Sequence, residues 1–537
     1  MTSTRKSFER LGIAAVLLLL APTSLAIATA APGAGSRLEA GGYIEGRAVA
    51  ATEGGARQRP GALLDVRLDA AARPWLRAHL EFRSRAGGPF EGGHPGIYNF
   101  VHTFQNRSPS LEFSEVYADI RWPRADLRVG IQKLVWGKLD GIPPTDVVNP
   151  RDYHDPLVDD FEERKIGIPA LTGTYYPRDL PYLGLSALRA SLTYVPIAVP
   201  PRLALIEERW FPKALIGPSR VVVPKKVFDK AIEKDFMAKT ADVPHDVVIP
   251  AQFRTLNNRP PKQLDAGGVA IRLGGTWREM DWDIYNYSGP ETGPDAQLPA
   301  TVTLERLNVT SNDHQLSVHP QLRALARIRQ AHGVMHMTGA DWSAAIGGAT
   351  VRAEAAVFQD RPYLRLASDL LVPRPPLVQR VLHELCPKPA VCICKRGDVG
   401  CPLPRRARVP FGDLFTERDA VEWGIGADYL SHGFIPLVQL NQTVFTDAGP
   451  PLLIADPETR FSASVRKLFL AERLELELRG AYALEREYWF VFPRASYLVR
   501  DNLRVRLGYL AIGGQRESLL GQFRDNDEFV LEARFSF

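Results

Sequence analysis

Between Leu63 and Arg83 the chain reads LLDVRLDAAARPWLRAHLEFR, and its residues change character at every second position. Leu64, Val66 and Leu68 alternate with Asp65, Arg67 and Asp69. After the turn at Ala72-Arg73-Pro74, Leu76, Ala78, Leu80 and Phe82 alternate with Arg77, His79, Glu81 and Arg83. A period of two puts the two sets on opposite faces of a strand, so this hairpin has one apolar face and one almost fully ionised face. The pattern repeats in EVYADIRWPRADLRVGIQK, where Val116, Ala118, Ile120 and Trp122 oppose Glu115, Tyr117, Asp119 and Arg121. Trp75 and Trp122 sit beside the tight turns, where a membrane interface attracts aromatics.

No stretch approaches the 18 consecutive apolar residues of a membrane-spanning helix beyond the first 30 positions, and 43 glycines and 43 prolines punctuate the 537 residues. Five strands precede residue 137. Further strands are expected near 171–176, 185–195, 267–275, 280–288, 333–345, 348–358, 419–430, 434–446, 460–470, 473–486, 489–500, 503–512 and 528–537, with 316–328 able to add or replace one. Short turns near 71–74, 123–126, 276–279, 431–433 and 500–502 contrast with long connections at 86–110, 137–170, 196–266, 289–332 and 359–418. Short turns at one end and long loops at the other are the signature of an outer-membrane barrel. The expected fold is therefore all-β, a transmembrane antiparallel β-barrel of 16–18 strands, whose long extracellular loops carry short helices such as PKKVFDKAIEKDFMAK at 224–239.

The two termini agree with that reading. Arg5, Lys6 and Arg10 precede LGIAAVLLLL, and Ala28-Thr29-Ala30 has the A-x-A form of a signal-peptidase site. Residues 1–30 are thus expected to be a Sec signal peptide and 31–537 the barrel, in the outer membrane of a Gram-negative bacterium. Cleavage removes three basic residues and one acidic one, lowering the formal charge of +5 to +3, too weak a bias for a nucleic-acid partner. The closing EFVLEARFSF alternates up to a terminal Phe537 and resembles the last strand by which the barrel-assembly machinery recognises its clients. The other expected partners are membrane lipid and a small-molecule solute.

The runs DLRVGIQKLVWGKLDGIPPTDVVNPRDYHDPLVDDFEERKIGIPAL, GADWSAAIGGATVRAEAAVF and GYLAIGGQRESLLGQFRDNDEFVLEARFSF resemble a large bacterial family of uncharacterised porin-like outer-membrane proteins, known as a domain of unknown function. The resemblance implies a barrel that moves small molecules; it supplies neither an agreed ligand nor catalytic residues. A cysteine-bearing insertion between 386 and 401 departs from the family.

Those cysteines, Cys386, Cys392, Cys394 and Cys401, are the only four in the chain. An oxidising compartment favours disulfides among them; four thiolates binding zinc, or free thiols, are the alternatives. The acidic run Asp155, Asp159, Asp160, Glu162 and Glu163 could hold calcium or be simply hydrated. No nucleophile elbow, zinc-protease motif or phosphate-cradling loop is present, so no enzyme, cofactor or structural metal is expected.

A barrel of this size leaves a water-filled lumen, which points to a porin-like channel for small solutes. A sheath around another exported component and an outer-membrane enzyme are the alternatives. On the lumen side, Arg67, Arg77, Arg83, Arg121, Arg128, Lys133, Arg352, Arg479, Arg504, Arg506 and Arg534 stand against Asp65, Asp69, Glu81, Glu115, Asp119, Asp281, Asp283, Glu354, Glu475, Glu477 and Glu532. Such a balance predicts weak charge selectivity. The connection from Gly137 to Ile168 is the expected constriction. Pro143, Pro144, Pro150, Pro156 and Pro169 stiffen it, and it leaves the wall at Trp136. Lys138, Asp140, Asp146, Asn149 and Arg151, or the later run Asp159, Asp160, Glu162, Glu163, Arg164 and Lys165, would then meet passing solutes, with a solvated cap over the rim as the competing arrangement.

Overall fold

The structure is a computed structural model that describes residues 37–52, 58–87, 110–202, 204, 209–213, 220–227, 241–242, 246–256, 267–291, 296–312, 315–330, 333–366, 384, 405–413 and 415–537. The signal segment, the four cysteines and most of the 224–239 stretch lie outside these residues.

Eighteen strands form one antiparallel wall. Its first seven follow one another directly: β1 (Arg37–Ala51), β2 (Gln58–Arg73), β3 (Leu76–Gly87), β4 (Ser110–Trp122), β5 (Ala125–Gln132), β6 (Ile168–Tyr175) and β7 (Leu185–Val195). Three short strands then lie outside the wall, β8 (Arg220–Val223), β9 (Ala241–Asp242) and β10 (Val247–Leu256), before β11 (Gly268–Trp277) and β12 (Met280–Pro290) rejoin it. A long hairpin, β13 (Ala296–Asn312) and β14 (Gln315–Gln330), leaves the wall again. It is followed by β15 (Val334–Ile346) and β16 (Ala349–Leu364) in the wall and β17 (Arg405–Asp413) outside it. The wall is completed by β18 (Phe415–Tyr429), β19 (Phe434–Phe445), β20 (Glu458–Phe469), β21 (Leu474–Ala483), β22 (Tyr488–Arg500), β23 (Leu503–Gly514) and β24 (Glu528–Ser536). β24 pairs with β1 from Ala51↔Glu528 to Tyr43↔Ser536, which closes the barrel and leaves no free edge in it.

Burial is inverted relative to a water-soluble protein. Glu81 and Arg83 are buried while the intervening apolar residues of β3 face outward, and Ile271, Leu273, Ile284, Val357, Ile425, Val438, Leu476, Leu478 and Leu507 are all exposed. Exposed apolar side chains around a closed wall satisfy lipid, and closure satisfies every wall strand's backbone in a medium without water. Exposed aromatics collect at both levels. Trp75, Trp122, Tyr175, Trp277, Tyr429 and Phe434 sit near the short turns, and Tyr194, Phe461, Tyr482, Trp489 and Phe529 near the long connections.

The long connections carry strands as well as helical residues. The described parts of 196–266, 289–332 and 359–418 carry β8, β9, β10, β13, β14 and β17, which pair into a separate six-stranded sheet in the order β17-β13-β14-β10-β8, with β9 on β14. Helical residues described there are 225–227, where the 224–239 stretch begins, and 384, with a 3₁₀ residue at 213, and the 3₁₀ turns Pro181–Leu183 and Gly521–Phe523 lie in other connections. The segment 316–328 belongs to this sheet and not to the wall. Hairpin pairing of β13 with β14 satisfies their backbone hydrogen bonds within this sheet.

Candidate functional site: a connection folded into the barrel

The connection between β5 and β6 turns inward at Trp136. Its indole is buried, with its ring centroid 4.7 Å from that of Tyr285 on β12. Gly137 follows at φ +81°, donating its N–H to the Tyr285 hydroxyl at 3.2 Å. A Cβ at this glycine would lie 2.7 to 2.8 Å from the Glu354 carboxylate and the Thr145 hydroxyl, so both the backbone angle and the space require glycine.

Glu354, on β16, organises the first half of the connection. It accepts hydrogen bonds from the backbone N–H of Lys138, from that of Leu139 at 2.5 Å, and from the Thr145 hydroxyl at 3.0 Å and N–H at 3.5 Å. The Lys138 ammonium lies 2.8 Å from Asp341 on β15 and 3.8 Å from Asp283 on β12. Asp140 donates its N–H to Gln439 on β19 and lies 3.9 Å from Arg352; burial raises its carboxyl above the usual range, Arg352 opposing. Asn441, also on β19, donates to the Ile142 carbonyl. Since β19 is eight strands round from β5 in an 18-strand wall, these contacts carry the connection nearly half the circumference across the lumen. An apolar cluster including Trp136, Val147, Val148, Tyr285, Met337 and Phe358 packs the same half.

The second half is held by ion pairs. Asp159 lies 2.6 Å and Asp155 3.9 Å from Arg47 on β1. Asp160 lies 3.0 Å from Arg479 on β21 and 3.4 Å from Arg494 on β22. Glu163 lies 3.4 Å from Arg534 on β24, and Asp152 2.9 Å from Arg85 on β3. Burial would raise the Asp160 carboxyl, but Arg494 and Arg479 outweigh it and hold the group below the usual carboxylate range. Asp155 and Asp159 thus share Arg47, while Asp152, Asp160 and Glu163 each face other arginines, so the run is spread over the wall's cations.

Other residues singled out from the sequence fall into place around this path. Asp146 sits between Arg151 and Lys165, 2.8 Å from each. Asn149 accepts from the Leu134 N–H and donates to the Gln132 and Ile166 carbonyls, pinning the two ends of the loop together. Glu162 is an exposed partner of Lys165 at 2.9 Å. On the wall, Arg67 and Arg83 meet Asp65 and Glu81, Lys133 lies 3.3 Å from Glu81, Glu115 accepts from the Lys133 N–H, and Arg128 pairs with Asp119 at 2.7 Å. Arg77 is exposed near the short-turn end.

Beside the loop, toward the short-turn end, lies a polar cavity of about 200 Å³. Leu134, Val135 and Trp136 border it, with Arg121, Arg128 and Arg272 and the hydroxyls of Thr172, Thr174, Ser191 and Thr193. The residues that sequence reasoning missed are Glu45, Arg47, Tyr285, Asp341 and Arg494. Tyr43, Glu45 and Arg47 do share a parity, but Gly41, Gly42, Gly46, Ala48 and Ala50 around them blur the alternation.

No protein-family model and no curated protein matches the chain, so the family resemblance rests on the quoted runs alone. Solved structures do match over nearly the whole length. Pseudomonas aeruginosa OccK8 (OprE) gives a TM-score of 0.43 at 8% identity, covering 93% of this chain and 98% of that one. Pseudomonas aeruginosa OpdL gives 0.39 at 8% identity over 94% and 98%, and Salmonella typhi OmpF in complex with daunomycin gives 0.38 at 9% identity over 94% and 98%. Likenesses at this level assign neither a solute nor an activity to this chain.

Proposed function

We propose that the protein is an outer-membrane channel for small polar solutes whose bore is narrowed by the connection 133–167. The supporting observation is the path of that connection, which leaves the wall at β5 and hydrogen-bonds to β19 across the lumen. An apolar exterior with two aromatic belts suits a lipid bilayer, and an envelope barrel of this kind belongs in a Gram-negative outer membrane, reached by Sec export and inserted by the assembly machinery through β24. A sheath around another exported component is less well supported, because the chain's own loop occupies the space such a component would need. Most wall charges on this path are paired with opposite charges, which favours weak selectivity by sign.

Planar-bilayer recordings test the reading. The full chain should give small conductance steps, and deletion of residues 142–162, which removes no wall strand, should enlarge them. An absence of conductance from correctly folded protein would overturn the channel; equal steps from both proteins would move the constriction elsewhere, first to 196–266.

A further inference from the structure

Most arginines on the inward path have a carboxylate partner: Arg47, Arg151, Arg479 and Arg494 all lie within 3.4 Å of one. Arg164 differs. Its guanidinium has neither an ion pair nor a hydrogen bond among the described residues, and its Nε is buried without a partner. Its recorded contact is with the ring of Phe161, 5.3 Å from the guanidinium carbon, and Arg151 lies over the same ring at 4.0 Å. Burial, reinforced by Arg151 and opposed by Tyr153, Asp159 and Asp152, pushes the group below the ordinary arginine range. The backbone around it is fixed, with the Asp152 N–H donating to the Arg164 carbonyl at 2.8 Å and the Ile166 N–H to the Pro150 carbonyl at 2.8 Å.

A largely buried guanidinium whose N–H donors have no acceptor is costly to keep, even with carboxylates at a distance, and an anion that accepts from them removes that cost. Arg164 is only half-buried by surface, so one edge of its fork stays open. Accepting the channel reading above, we propose that Arg164 is the anion subsite of the constriction, taking the carboxylate of a small monoanionic solute. A planar guanidinium offers two parallel N–H donors that match a carboxylate. The preference for a monoanion follows from the neighbourhood, since Asp152 and Asp159 flank the site, each already committed to an arginine, and would repel further negative charge.

The test uses the full chain and gluconate, with sorbitol as its uncharged counterpart. Millimolar gluconate should reduce the chloride current through wild-type channels at least tenfold more effectively than sorbitol, and calorimetry on the detergent-folded protein should show gluconate binding. Arg164→Gln should abolish both effects, with heat-modifiable migration of the folded barrel on gels as the control that the variant still assembles. Arg164→Lys, which keeps the charge but loses the fork, should retain the block in weakened form. Unchanged block and binding in Arg164→Gln would overturn the proposal, as would wild-type protein that neither is blocked by gluconate nor binds it. If the protein binds gluconate through Arg164 yet never conducts, the subsite stands and the channel reading falls.

Discussion

The two halves of the inward connection are anchored in opposite ways. Residues 137–149 converge on one wall carboxylate, Glu354, which accepts from three backbone N–H groups and a hydroxyl, and they bury an apolar cluster against β12, β15 and β16. Residues 152–163 spread their carboxylates over arginines on β1, β3, β21, β22 and β24. The first half is held mainly by hydrogen bonds to a buried carboxylate, apolar packing and the shielded Lys138–Asp341 pair, which ionic strength touches little. The second is held by ion pairs, several of them partly solvated, that salt and acid can loosen. A loop built this way is fixed at the far wall and adjustable beside the seam where β24 closes on β1.

The sharpest break in that contrast is Glu354→Ala. It strands donors that are buried or partly buried, each costing about 1 to 3 kcal/mol, so the first half should lose its position and single-channel steps should become larger and noisier. A recording identical to wild type would show that Glu354 is not the anchor. Asp160→Asn should do less, on the order of 1 kcal/mol, because Asp160 is about half exposed and Arg494 keeps Glu477 as a partner. Its signature should be brief openings with an unchanged main step, whereas a change as large as that of Glu354→Ala would erase the distinction between the halves.

Smaller still is the response to salt. Raising KCl from 0.1 to 1 M shortens the screening length from about 10 to 3 Å. Flicker should grow in wild type beyond the trend of bulk conductivity, and should not grow further in Asp160→Asn. Acid gives the mildest test. The Asp160 carboxyl is depressed in the folded protein, so its contribution is complete above the unfolded carboxyl range near 3.9 and is lost only as pH falls through the lower folded value. Asp160-dependent docking should therefore survive at pH 5 and loosen below about 4. Loosening that begins at pH 6 would assign the response to another group.

The wall was largely legible in the sequence because lipid enforces the alternation. In β21, Leu474, Leu476 and Leu478 face out while Glu475, Glu477 and Arg479 face in, as their parity requires. The outer sheet was not legible: Pro299 and Pro320 interrupt β13 and β14, a bulge falls between Leu304 and Arg306, and outside the membrane no solvent asymmetry imposes a clean period. Within the site, the stiffness of the connection could be read from its prolines. Its docking partners could not, because Glu354 meets Lys138 across 216 positions of sequence and alternation says which way a side chain points but not what it meets.

Photo-crosslinking from inside the barrel tests the central claim most directly. Leu139 packs against Gly424 and Gly426 of β18, and Val158 against Phe492, Leu510 and Val530 of β22, β23 and β24. A benzophenone amino acid placed at 139 in outer-membrane protein should therefore link to the 415–445 peptides, and one at 158 to the 488–536 peptides. Crosslinks from both positions that reach only other long connections would mean that 133–167 caps the rim, and would contradict a constriction inside the barrel.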